Sequence, residues 1–223
     1  YDLSKLVCGS YGTLALLTDV TLKVLPRPET EQTLLIIGLD ENESLAQLRR
    51  ASATPNEVSA YAMTPAAVAG RFGANVAALR IEGPEISVAA RRDALIAQLA
   101  APAACFETLQ QTESVAFWAG VRDAAPLAAC DGQVWRLSVA PTDGPKIIAA
   151  LRATNAPLVA HFYDWAGGLI WLCLEETLDA HAATIRRVVD AHGGHATLVR
   201  ASDETRARVD VFHPQPAPLA ALT

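Results

Sequence analysis

Apolar residues fall along this chain in short runs and alternations that repeat in a fixed order. Gln32 to Leu39 is a strand-sized apolar run. Asp40, Glu41 and Glu43 follow it and suit the positive end of a helix reaching about Ala53. Val58 to Met63 reads as a second strand. Thr64-Pro65 opens a short helix, with Thr64 as cap and Pro65 at the first position. Ala77 to Glu82 is a third strand, a long helix runs from Pro84 to about Ala100, and Ala104 to Leu109 is a weaker fourth strand. A connecting helix spans Glu113 to about Ala125. The pattern then resumes with a strand at Gln133 to Ala140, where Val134, Arg136 and Ser138 alternate with Trp135, Leu137 and Val139. Asp143 to Thr154 is a helix. Leu158 to Asp164 and Leu169 to Leu174 are strands joined by the turn signal Trp165-Ala166-Gly167-Gly168. Leu178 to His192 is a helix closed by Gly193-Gly194, and Ala196 to Ala201 is the last strand.

The order strand–helix–strand–strand–helix–strand thus occurs twice, over 32–109 and 132–201, with an extra short helix in the first copy. Each copy fits a ferredoxin-like βαββαβ unit. The predicted fold is α+β, an antiparallel sheet of about eight strands from two such units with helices on one face. The tight turn at Gly167-Gly168 forces an antiparallel pair, which disfavours a doubly wound parallel sheet.

Ahead of the first unit, Asp19 to Leu25 alternates Val20, Leu22 and Val24 against Thr21 and Lys23, a half-buried strand ended by Pro26-Arg27-Pro28. Residues 1–28 therefore read as the tail of an upstream domain and 29–223 as a second domain. The chain opens at Tyr1 without Met, the single Met being Met63, and Ala217 to Thr223 resembles the start of a helix. Both features are expected of a piece of a longer protein.

Composition narrows the function. Of 223 residues 51% are apolar and 19% charged, which excludes a disordered chain. The net charge of −6, without a basic stripe, argues against nucleic acid, and no apolar run approaches membrane-spanning length. Cys8, Cys105, Cys130 and Cys173 lack metal-ligand spacing and sit in apolar surroundings, so a reducing, cytoplasmic setting is expected.

Several residues are candidates for chemistry. Gly9-Ser10-Tyr11-Gly12-Thr13 could bring backbone N–H groups and hydroxyls close to an anion, or be an ordinary turn. It is neither a dinucleotide fingerprint nor a P-loop. Arg80, Arg136 and Arg200 fall inside strands, where a guanidinium can clamp a carboxylate or face solvent. His161 and Asp164 alone cannot close a metal site, so no metal is assigned. Trp118, Trp135, Trp165 and Trp171 read as core or subunit interface rather than a stacking platform. A hydrolase reading has no support, because no nucleophile elbow and no forced pair of acids is present.

The run Tyr1-Asp2-Leu3-Ser4-Lys5-Leu6-Val7-Cys8-Gly9-Ser10-Tyr11-Gly12-Thr13-Leu14-Ala15-Leu16-Leu17-Thr18-Asp19-Val20-Thr21-Leu22-Lys23-Val24-Leu25-Pro26 resembles the end of the FAD-binding domain in vanillyl-alcohol-oxidase-like flavoproteins. Within them it is most similar to the glycolate oxidase branch. The likeness continues more weakly to His213-Pro214, through the cap domain. It implies that Gly9, Ser10, Gly12, Thr13 and Leu17 contact FAD, although Ala15 stands where the family has a further Gly. It also implies a substrate such as a small 2-hydroxy acid, for which Arg80, Arg136, Arg200 and His213 are the candidate contacts. The implied partners are a homologous flavin subunit and an iron–sulfur subunit, with cytoplasmic location or membrane association through those partners. Related catalytic subunits carry His…Gly-Asp-Gly-Asn-x-His in the hairpin. Here the text is His161-Phe162-Tyr163-Asp164-Trp165-Ala166-Gly167-Gly168-Leu169-Ile170-Trp171, with the second His replaced. That departure favours the FAD-binding subunit over the catalytic one. Two other roles stay open: a non-catalytic assembly or electron-relay subunit, and a stand-alone flavin oxidoreductase for another hydroxy acid.

Overall fold

The computed structural model describes residues 3–24, 26–154 and 156–215. A single eight-stranded antiparallel sheet carries the fold. The first unit comprises β1 (Thr30–Ile37), β2 (Ala60–Thr64), β3 (Val76–Gly83) and β4 (Cys105–Leu109), and the second β5 (Gln133–Ser138), β6 (Leu158–Asp164), β7 (Leu169–Leu174) and β8 (His195–Arg200). Their order is β4-β1-β3-β2-β6-β7-β5-β8. Each half has the ferredoxin-like order, one the reverse of the other, and they meet through their second strands. A short helix α1 (Leu3–Val7) precedes the sheet, and α2 (Glu41–Ser52), α3 (Glu85–Leu99), α4 (Gln111–Arg122), α5 (Gly144–Arg152), α6 (Ala182–Asp190) and α7 (Asp203–Arg206) are the other α-helices among the described residues.

Local chemistry sets the boundaries. The Asp40 carboxylate caps α2 by accepting the Glu43 N–H at 2.8 Å, while Arg49 and Arg50 lie at its negative end. Residues after Thr64 form two 3-10 turns, Ala66–Val68 and Gly70–Phe72, instead of the expected short helix. The cap there is missing: no side chain closes the first turn, and the Ala66 N–H goes to Asn75 Oδ1 at 2.9 Å. Asp19 to Val24 forms no strand, and Val20, Leu22 and Val24 are exposed. Alternation specifies a strand only where another strand offers a ladder and a core, and the described residues offer this segment neither. Leu25, Tyr1, Asp2 and the helix start expected at Ala217 to Thr223 lie outside the described residues.

Because the strands are buried on both sides, successive side chains feed two cores. Leu34, Ile36, Leu79, Trp135, Leu137 and Ile170 face the four helices α2, α3, α5 and α6. Leu35, Ala78, Val134, Phe162 and Cys173 face the other way, where α4 supplies Trp118 and Val121. The connecting helix thus covers part of the second face. A buried hydrogen-bond chain docks it on β1. Trp118 Nε1–H donates to Thr33 Oγ1 (2.7 Å), Thr33 and Ser114 hydroxyls meet at 2.6 Å, and Ser114 donates to the Glu31 carboxylate (2.5 Å). Since Ser114 gives its proton to Glu31, Thr33 donates to Ser114, so each hydroxyl donates once and accepts once.

The seam between the halves is thin: Ala62 pairs with Asp164 and Met63 with Tyr163. On the helix side Glu41 reinforces it. Its carboxylate accepts from Tyr163 OH at 2.5 Å, meets His161 Nε2 at 3.3 Å and lies 3.5 Å from the Arg152 guanidinium. Burial alone would push this carboxyl up. The hydrogen bonds from His161 and Tyr163, with the charges of His161 and Arg152, prevail and hold it near 2, against an ordinary 4.5. A depressed carboxyl contributes stability above its unfolded value and loses it as pH falls toward the folded one. Unfolding free energy should therefore decline between pH 4.5 and about 2, by about 1–2 kcal/mol after allowing for solvent screening. The same loss should be missing in Glu41→Gln, as measured by urea titration across that range.

The β6–β7 hairpin turn is closely packed. Trp165 (φ 52°) and Ala166 (φ 55°) both adopt left-handed backbone, followed by Gly167 at φ 102°. A Cβ on Gly167 would sit 2.7 Å from the Pro141 carbonyl oxygen. Gly167→Ala should lower stability by about 2–4 kcal/mol, through overlap and strain together. Denaturant unfolding that shows no change would contradict this packing.

Candidate functional site

With α4 over the first half only, the second face of the sheet opens into a cleft of about 890 Å³. The pleat decides which side chains reach it. Arg80 on β3, Asp164 at the end of β6, and Arg136 and Trp171 as directly opposed residues of β5 and β7 all lie on this face. Trp118 of α4 forms one wall and Trp165 of the hairpin turn another.

Two guanidiniums converge here in different states. Arg80 Nε is 3.2 Å from Glu82 Oε2, donates to Ser59 Oγ at 3.1 Å, and its guanidinium lies 5.5 Å from the Trp118 ring. Arg136 sits 5.5 Å from the Trp165 ring and 6.0 Å from Trp171. It has no hydrogen bond or ion pair among the described residues. A half-buried guanidinium held by two indoles and left with all its donors free is a preorganised anion receptor. Asp164 completes the group. Its carboxylate accepts the Trp165 N–H at 2.7 Å. Burial pushes its pKa up, and the Trp165 N–H with the Arg80 and Arg136 charges offsets this only in part.

The other sequence candidates lie elsewhere. Arg200 donates to the carbonyls of Gly132 (3.2 Å) and Cys130. His213 accepts the Ala196 N–H at Nδ1 (3.2 Å), which leaves Nε2 protonated toward Asp190 Oδ1 at 2.8 Å. Each of these ties the β8 edge together. His161 faces Glu41 on the helix side, three residues from Asp164 and so on the opposite face. Among the described residues no three His, Cys, Asp or Glu side chains are grouped to hold a metal.

Gly9, Ser10, Gly12, Thr13 and Leu17 lie in an exposed N-terminal segment that lines no part of the cleft. Gly9 and Gly12 have φ of 82° and 76°, and nothing lies within 4 Å of a Cβ built on either. The Thr13 N–H and hydroxyl both donate to Ser10 O, at 3.0 and 2.6 Å. Tyr11 packs on Phe212 with ring centroids 5.0 Å apart. Leu14, Leu16, Leu17, Val20, Leu22 and Val24 are exposed around this turn.

No family model matches the chain. Over 205 residues, 91% of the chain, it is 32% identical to glycolate oxidase subunit GlcE of Escherichia coli (strain K12). Over that span the chain is similar to a glycolate oxidase subunit. It covers 48% of that relative's length. Glycolate oxidase subunit GlcD of Bacillus subtilis (strain 168) is 39% identical over 66 residues, 30% of the chain and 13% of that protein. Among the described residues no helix is long and apolar enough to cross a membrane.

The sequence pattern places the four tryptophans in core or interface. Trp135 is fully buried, but Trp165 and Trp171 stand in the cleft around Arg136. The usable signal was period two: Arg136 and Trp171 each stand one residue away from a core position of their strands. Because Arg136 serves no structural contact of the hydrogen-bonding kind, Arg136→Gln should change unfolding free energy by less than about 0.5 kcal/mol. Arg200→Gln strips two carbonyls of their donor and should cost about 1–2 kcal/mol. Chemical denaturation of both variants checks the contrast.

Proposed function

We propose that this chain is part of an FAD-dependent oxidoreductase of 2-hydroxy acids, with glycolate converted to glyoxylate. The observation that carries the reading is the similarity to a glycolate oxidase subunit across 91% of the chain. The cleft supports it independently. A 2-hydroxy acid has a carboxylate for the free Arg136 donors, aided by Arg80, and a hydroxyl for Asp164. A carboxyl raised by burial is suited to accept the hydroxyl proton as the alcohol carbon is oxidised.

The N-terminal turn fits the edge of a larger ligand. Open space over Gly9 and Gly12 leaves the backbone accessible, and Ser10, Thr13 and Leu17 flank it. In this proposal these five residues contact FAD, which supplies the acceptor for the electron pair. The remaining contacts would come from other protein segments, and residues 1–28 belong with the FAD-binding domain while 29–223 form the cap. The partners in this reading are a homologous flavin subunit and an iron–sulfur subunit that takes the electrons onward, in the cytoplasm. The exposed run from Leu14 to Val24 supports docking of this segment on another protein body, and so an assembly role beside the chemical one.

Disrupting the gene for this chain should abolish glycolate-dependent dye reduction in cell extracts, and the wild-type gene should restore it. Restoration with Arg136→Gln should raise the KM for glycolate by about ten-fold or more. A disrupted strain that oxidises glycolate at the normal rate would overturn the proposal.

A further inference from the structure

A two-carbon acid leaves most of this cleft empty. Its volume of about 890 Å³ falls at the large end of small-molecule sites. The surplus space has a definite chemistry. Trp118, Trp165 and Trp171 provide three indoles, and Val115, Ala119 and Leu169 fill the gaps between them. Trp171 also stacks on Phe162 at 6.3 Å with an interplanar angle of 8°, so its ring is fixed before any ligand arrives. Arg136 and Asp164 stand beside these indoles, and Arg80, Ser59 and Glu31 line the cleft on the side of the first unit.

The turn itself bears on this. Trp165 keeps its ring in the cleft, half-exposed, at φ 52°, with Ala166 left-handed beside it. Two successive non-glycine residues in that region are costly. The indole donates no hydrogen bond among the described residues. Its ring holds the Arg136 guanidinium at 5.5 Å and lines the cleft, two contacts that a glycine would not make.

We propose that the cleft accepts, beyond glycolate, 2-hydroxy acids with a planar apolar side chain, and binds them more tightly. The carboxylate meets Arg136, the hydroxyl faces Asp164, and the planar group lies against Trp165 and Trp171. The proposal rests on the carboxylate reading of the site given above and extends it to a substrate class.

Tryptophan fluorescence of the whole chain provides the test, since three of its four indoles line the cleft. Phenyllactate, glycolate and 2-phenylethanol would each be titrated. Phenyllactate should bind about ten-fold or more tightly than glycolate, from the added apolar area, and 2-phenylethanol, without a carboxylate, far more weakly than phenyllactate. In Trp165→Gly the ratio of phenyllactate to glycolate affinity should fall to near one. Glycine tolerates φ 52°, so this variant removes the wall without straining the fold. Equal affinity of the two acids in the wild type, or an undiminished ratio in Trp165→Gly, would overturn the substrate class and leave the carboxylate site standing. Failure of either acid to bind, binding that survives Arg136→Gln, or 2-phenylethanol binding as tightly as phenyllactate would overturn the carboxylate site and this inference with it.

Discussion

The seam between β2 and β6 is the constraint on which this architecture depends. Two register pairs are a small ladder for joining two four-stranded halves. The join holds because Glu41, at the start of a helix in the first half, lies half-buried against Tyr163 and His161 of the second and is approached by Arg152. A buried carboxylate is costly unless it is hydrogen-bonded and paired. Here the donors come from β6 and α5, so the charge is tolerable only when the halves are docked in this one register. A slip by one residue would turn both Tyr163 and His161 to the other face and leave Glu41 with Arg152 alone. The seam therefore gains specificity from a group that contributes modest net stability.

That register is also what assembles the cleft. Arg80 belongs to the first half, Arg136 and Asp164 to the second, and they face one another only across a closed seam. Asp164 is itself a seam residue, paired with Ala62. The sheet's two faces divide the work. Helices cover one side throughout, and α4, pinned through Trp118, Thr33, Ser114 and Glu31, covers the first half of the other. The part of this face left open beside the α4 wall is the concavity. A fourfold helix layer on one side and a single helix on the other thus follow from one insertion between the repeats.

Much of this fold was legible from pattern. The β6 and β7 strands have the bounds that apolar runs and the Trp165–Gly168 turn assigned them, because a hairpin buried on both faces has little freedom in register. The twice-repeated order was legible for the same reason. Asp19 to Val24 failed because period two reports an amphipathic segment and says nothing of whether a partner strand is present. Thr64-Pro65 failed because Asn75, distant in sequence, takes the amide that a local cap would have taken. Arginines within strands were recognisable as candidates, yet sequence could not separate Arg136 from Arg200. What distinguishes them is whether a carbonyl lies in reach, and the Cys130 and Gly132 carbonyls that occupy Arg200 come from a loop about seventy residues away.

The same distinction explains where chemistry is concentrated. Arg200 and His213 have their donors and acceptors consumed by backbone and Asp190, and each stabilises an edge. Arg136 has its position fixed by indoles, which orient a guanidinium without using its N–H groups. An aromatic mount is a way to hold a cation in place while leaving its hydrogen-bonding capacity for a ligand. One of those mounts, Trp165, stands on left-handed backbone two residues before Gly167, where a Cβ would meet the Pro141 carbonyl oxygen. The strain at the turn, the free donors of Arg136 and the raised carboxyl of Asp164 thus occupy three neighbouring strands at one point of the sheet. Stability alone favours none of the three.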